Sequence, residues 1–127
     1  MSEKQPGAAW MEIIQRASLE EFAASFTHDA RLDLSVADEP LVGPAAIREF
    51  FNTTRTMYDS IGFSSETSTA GKTFLEWQGV FQGVDVAGVT VLTLDARDLI
   101  ESVALYHRPL GQVIAFAEDL SKRQTTR

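Results

Sequence analysis

The chain of 127 residues contains no cysteine. Disulfides, thiolate nucleophiles and cysteine-based metal sites are therefore excluded, and the composition does not distinguish an oxidising compartment from a reducing one. Positive charge is scarce: 11 Lys and Arg stand against 18 Asp and Glu, a formal net charge of −7. Nucleic acids and anionic membranes both call for clustered cations, so neither is an expected partner. Long apolar runs are missing as well. No segment approaches the roughly 18 apolar residues of a membrane span, and the opening stretch MSEKQPGAAW has no apolar core of signal-peptide length. The expectation is a soluble cytoplasmic protein. Neither a glycine-rich phosphate loop, a nucleophile elbow nor a triad order is present, and no cofactor is expected. Internal repeats and low-complexity linkers are absent too.

Hydrophobic residues make up 44% of the chain, enough for one core in one domain. Residues 1–7 are polar, carry Pro6 and Gly7, and are expected to be loose. Residues 8–122 then form a single domain, and 123–127 a frayed tail. Trp10, Ile13, Ile14 and Ala17 recur at helical spacing. Ser18-Leu19-Glu20-Glu21 reads as a capping box opening a second helix, with Leu19, Phe22, Ala23 and Phe26 on its apolar side. Residues 30–36 alternate: Leu32, Leu34 and Val36 share one face, Arg31, Asp33 and Ser35 the other, which is the pattern of a half-buried strand. After the loop ADEPLVGP, Pro44 suits the first position of a helix whose stripe is Ile47, Phe50, Phe51, Met57 and Tyr58. Asn52-Thr53-Thr54 matches the glycosylation pattern but falls inside that helix, in a chain without a secretion signal.

Beyond Gly62 the pattern turns to strands, with turns at Ala70-Gly71, Gln82-Gly83 and Asp95–Asp98. The strand LIESVALYHR ends at Pro109 and Gly111, and Val113, Ile114, Phe116, Ala117 and Leu120 mark a closing helix. This order predicts an α+β fold: a curved mixed/antiparallel sheet forming a cone, with helices packed on its concave face. The inside of such a cone is a natural pocket for a small molecule.

The segments FTHDA, GPAAIREFF and DARDLIESVALYHRPL, in this order and spacing, resemble the nuclear transport factor 2-like superfamily, and within it the SnoaL-like and ketosteroid isomerase-like branch. The resemblance covers residues 8–120. It implies a cystatin-like fold shared by isomerases, cyclases, dehydratases, epoxide hydrolases and binding proteins, so the frame alone does not name a reaction. Aligning Asp29-Ala30 with the family's Asp-Ala pair puts the isomerase's general-base aspartate on Leu34, its oxyanion tyrosine on Trp10 and its protonated aspartate on Thr90. All three depart from the isomerase pattern.

If Leu32, Leu34 and Val36 face the cone, Asp33 faces out. Asp29 is placed at the end of the second helix or in the turn after it, His28 just before it as a surface residue or a C-terminal charge partner, and Asp38 and Glu39 in the loop, with a place at the pocket rim as their alternative. These carboxylates read as solvated. On the other strands the inward registers are Thr73, Leu75 and Trp77; Gly88, Thr90, Leu92 and Leu94; and Val103, Leu105 and His107. The predicted lining joins Trp10, Phe50, Phe51 and Tyr58 from the helices to Leu32, Leu34 and Val36. From the remaining strands come Leu75, Trp77, Thr90, Leu92, Leu105 and His107. Such a cavity suits a flat apolar or aromatic ligand with one or two polar atoms. His107 is the inward group that titrates near neutral pH, with Tyr58 and Thr90 the other catalytic candidates; a core histidine bonded to Tyr58 or Thr90 is the plain alternative. Two histidines with no inward carboxylate beside them predict no metal. Arg108 is expected to pair with an acid on the outside. Phe74, Val80 and Tyr106 on the convex face suggest a homodimer. Three functions stay open: an enzyme of isomerase, cyclase or dehydratase type working through His107, a non-catalytic small-molecule binder, and a protein-interaction module. The sequence does not show whether loop 37–43 closes over the pocket.

Overall fold

A computed structural model describes residues 5–125. The expected loose N-terminus falls in part on residues 1–4 and the expected frayed tail in part on 126–127, which lie outside the described residues. Helices α1 (Ala8–Ile14) and α2 (Leu19–Ala23) precede β1 (Phe26–Leu34), β2 (Leu41–Val42) and α3 (Pro44–Thr54). Strands β3 (Ser60–Thr69), β4 (Lys72–Phe81), β5 (Val84–Leu94) and β6 (Ile100–Arg108) lead to α4 (Leu110–Thr125). The six strands form one curved, unclosed sheet in the order β2-β1-β6-β5-β4-β3. Only β1·β6 is parallel. No described helix is long and apolar enough to cross a membrane.

Period-two alternation sets the faces as the sequence predicts. On β1, Ala30 and Leu32 are fully buried, whereas Arg31 and Asp33 turn outward and pair, Nε to Oδ1, at 3.0 Å. On β6, Val103 and Leu105 are buried while Tyr106 is 57% exposed. Ser18 caps α2 as its motif predicts: its Oγ accepts from the Glu21 backbone N–H at 3.1 Å and donates to the Glu21 carboxylate at 3.2 Å. Gly43 and Pro44 open α3, which buries Ile47, Phe50, Phe51 and Thr54.

Several expectations are corrected. Phe26 belongs to β1, not to the helix before it, so His28 and Asp29 are exposed strand residues and not the end of α2. The cause is tertiary: Phe26 pairs with Ile100, the Ile100 N–H donates to the Ser25 carbonyl at 2.9 Å, and a register shift before Arg31 absorbs the extra residues. The strand stops at Leu34, two residues short of Val36. The predicted loop contains the short strand β2, paired through Leu32↔Leu41, while Asp38 and Glu39 remain exposed. Helix α3 ends at Thr54, so Met57 and Tyr58 face inward from the loop beyond it. Arg108 is exposed, and among the described residues no ion pair is formed by it. Helix α4 begins at Leu110, directly after β6, and the Pro109 carbonyl accepts from the Gln112 and Val113 N–H groups at 3.0 and 3.1 Å. Gln112 Nε2 then donates to the Phe81 carbonyl at 2.9 Å, tying α4 to the β4–β5 hairpin.

Both two-residue hairpins put positive φ at each turn position, Ala70 at 47° with Gly71 at 78°, and Gln82 at 52° with Gly83 at 78°. Ala and Gln are poorly suited to that region, whereas Asn tolerates it. Ala70→Asn and Gln82→Asn are each expected to stabilise the fold by about 0.5–1 kcal/mol. Chemical denaturation midpoints check this, and an unchanged or lowered midpoint in both variants would contradict it.

Candidate functional site

One end of the cone holds a cavity of about 370 Å³. Its wall combines side chains from α1 (Trp10, Met11, Ile14), α3 (Phe50, Phe51, Thr54) and the sheet (Trp77, Thr90, Leu105, His107), with Tyr58 between them. The lining residues that also reach the surface are Gln5, Pro6 and Ala8, Arg55, and Ile61, Gly62 and Phe63, and these mark its mouth. Loop 37–43 does not border it.

Eight of the predicted lining residues are therefore brought together: Trp10, Phe50, Phe51, Tyr58, Trp77, Thr90, Leu105 and His107. Five are not. Leu32 is fully buried in the core, and Leu34 and Val36 pack half-buried against that core. Leu75 and Leu92 line a separate hollow of about 330 Å³. Trp10 stands in both walls and divides the two spaces. Leu32 is covered by core packing, whereas Leu75 and Leu92 face a different hollow. Arg55, Thr54 and Phe63 went unpredicted, although Thr54 and Arg55 continue the helical stripe of Phe50 and Phe51 at a spacing of four.

The polar centre of the cavity is a contact between residues 49 positions apart: Tyr58 Oη lies 3.0 Å from His107 Nε2. Aromatic rings surround it. His107 meets Trp77 edge-on at 4.9 Å and Phe116 at 5.4 Å, and Tyr58 meets Phe116 at 5.2 Å. Gly88 makes this packing possible: a Cβ there would run into the Trp77 indole and the Tyr106 carbonyl. Burial penalises charge on both groups. It lowers the His107 pKa to about 4 and pushes the Tyr58 phenol well above its ordinary value. At neutral pH both partners are therefore neutral.

The hydrogen-bonding network assigns the proton. His107 Nδ1 is buried and has no partner among the described residues. A proton on Nδ1 would leave an orphaned donor, whereas a proton on Nε2 leaves only an orphaned acceptor, the less costly defect. In that tautomer Nε2–H donates to the Tyr58 oxygen, and the phenol O–H is free to donate elsewhere. None of the lining residues is a carboxylate, and among the described residues no cluster of three or more His, Asp or Glu could hold a metal ion. A larger open groove of about 920 Å³, lined by residues such as Gly79, Asp85 and Arg108, shares Ile61, Gly62 and Phe63 with the cavity.

Residues 4–92 match the model of the SnoaL-like domain family. The chain belongs to this family. Within the SnoaL-like fold it is similar to a steroid delta-isomerase from Pseudomonas aeruginosa, with a TM-score of 0.82 and 20% identity over 94% of this chain and 88% of the other. A protein with a cystatin-like fold from Silicibacter pomeroyi gives a TM-score of 0.83, also at 20% identity, over 96% and 87%. Among curated proteins, EF-hand domain-containing family member B of Bos taurus is 27% identical over 100 residues, 75% of this chain. The SnoaL-like chain spans 11% of the length of that relative. The expected SnoaL-like membership, and the α+β fold with a curved sheet, are thus both found.

Proposed function

We propose that this SnoaL-like protein takes a small, flat, apolar carbonyl compound into the cone and polarises its oxygen through Tyr58, in chemistry of the isomerase type. The observation that carries this reading is the Tyr58–His107 contact of 3.0 Å inside an aromatic enclosure on the cavity wall. His107 Nε2–H donates to the phenol oxygen, and the phenol O–H donates to the ligand oxygen. As a proton leaves the carbon next to the carbonyl, negative charge grows on that oxygen, and a preorganised donor in an apolar enclosure stabilises it. Hydroxide from solvent, entering at the mouth, takes that proton and becomes water, and water returns a proton to the enolate. His107 acts through Tyr58, and Thr90 shapes the wall beside Leu105.

The test uses 2-tetralone, a bicyclic ketone, with deuterium exchange at its α-carbons followed by NMR in D2O. The wild type is expected to accelerate exchange, and Tyr58→Phe to lower that acceleration about a hundredfold while weakening binding only a few-fold. Acceleration that survives intact in Tyr58→Phe overturns the assignment.

The absence of a carboxylate from the lining residues favours a second reading, a non-catalytic binding protein. Binding of the ketone without accelerated exchange would select it. The large cavity speaks against a purely protein-interacting module. The convex face, where Phe74 is 36% and Tyr106 57% exposed, fits a second copy of the chain. Sedimentation showing a monomer at micromolar concentration would reject that assembly.

A further inference from the structure

Among the described residues, one charged side chain lines the cavity, Arg55. It caps the C-terminal end of α3, and its Nη1 donates to the carbonyl oxygen of Ile14, the last residue of α1, at 3.4 Å. The guanidinium thus sits at the C-terminus of α1, a placement that helix dipole favours. Its contact is to a backbone carbonyl and not to an acid. The four ion pairs among the described residues use Arg16, Arg31, Arg97 and Arg123, and none involves Arg55. With 18 acidic side chains against 11 basic ones, this chain has acids to spare. Among the described residues it nevertheless leaves this guanidinium without a carboxylate partner beside an apolar cavity. The single Ile14 bond leaves donors of the fork free.

We propose that the ligand is an amphipathic carboxylate: its flat apolar body lies between Trp10 and Trp77, a neutral oxygen meets Tyr58, and its carboxylate is held by Arg55 at the mouth. This rests on the cavity reading above and names the ligand class. A carboxylate is favoured over a phosphate because one guanidinium neutralises one charge and matches the planar oxygen pair of a carboxylate. A phosphate dianion would keep excess charge against the apolar rim.

Isothermal titration at pH 7 with two matched probes tests this. 2-Naphthoate carries the carboxylate, and 2-acetylnaphthalene replaces it with a neutral ketone of similar size. The wild type is expected to bind the naphthoate about tenfold more tightly, an advantage that shrinks with added salt because Arg55 is exposed. In Arg55→Gln the affinity ratio of the two probes falls to about one, and in Arg55→Lys, which keeps the charge without the fork, it is intermediate. Equal binding of both probes by the wild type, or a ratio that survives in Arg55→Gln, overturns the role of Arg55 and leaves the cavity reading standing. If neither probe binds, both readings fall.

Discussion

Phe116→Ala is expected to cost about 3–5 kcal/mol of stability and, in the same variant, to move the His107 titration back up toward its ordinary value. Phe116 is 1% exposed, and its ring centre lies 5.0 Å from that of Phe81, 5.2 Å from Tyr58 and 5.4 Å from His107. Truncation removes a large apolar side chain from the core and opens a void beside the imidazole. Water entering that void relieves the desolvation that now holds the His107 pKa at about 4. The stability effect is read from urea denaturation and the second effect from the imidazole NMR signals against pH. A His107 titration still near pH 4 after Phe116→Ala would show that this ring is not what excludes water.

The wild type itself is expected to lose about 3 kcal/mol of stability as pH falls from about 6.5 to about 4, at roughly 1.4 kcal/mol for each pH unit between the two pKa values. The folded pKa is depressed below the unfolded one. Within that window the unfolded chain binds a proton that the folded chain refuses, so acid favours unfolding. Above about pH 6.5 His107 contributes no slope, and below about pH 4 its penalty is complete. Among the described residues no compensating charge offsets the desolvation of the ring. Trp77 meets it from β4 and Phe116 from α4, while Gly88 is its partner on β5. The phenol of Tyr58 stays protonated throughout the window. Denaturation midpoints between pH 7 and 4 measure the slope, and His107→Gln is expected to flatten its upper part, above the range where carboxylates take up protons. An equal slope in that variant would assign the acid sensitivity elsewhere.

Local pattern carries as far as the faces of the strands. Trp77, Thr90, Leu105 and His107 are legible as inward residues because a strand's side chains alternate, whatever the rest of the chain does. The capping box at Ser18 and the Pro44 helix start are equally local, since each concerns groups within one turn. Phe26 is the counterexample. Its spacing from Phe22 is helical, but its partner is Ile100, and that pairing overrides the local preference.

The same division runs through the site. Leu32, Leu75, Leu92 and the cavity residues all satisfy the inward pattern, yet which of them meets a helix and which meets empty space follows from where α1, α2 and α3 land on the sheet. The Tyr58–His107 contact joins positions 49 apart, and the Arg55–Ile14 bond joins positions 41 apart. Periodicity reports the environment of a residue relative to its own element. The meeting of two elements depends on long-range packing, which is why the sheet, its inward faces and the imidazole are readable along the chain, whereas the limits of the cavity and the cation at its mouth emerge only once the helices are docked.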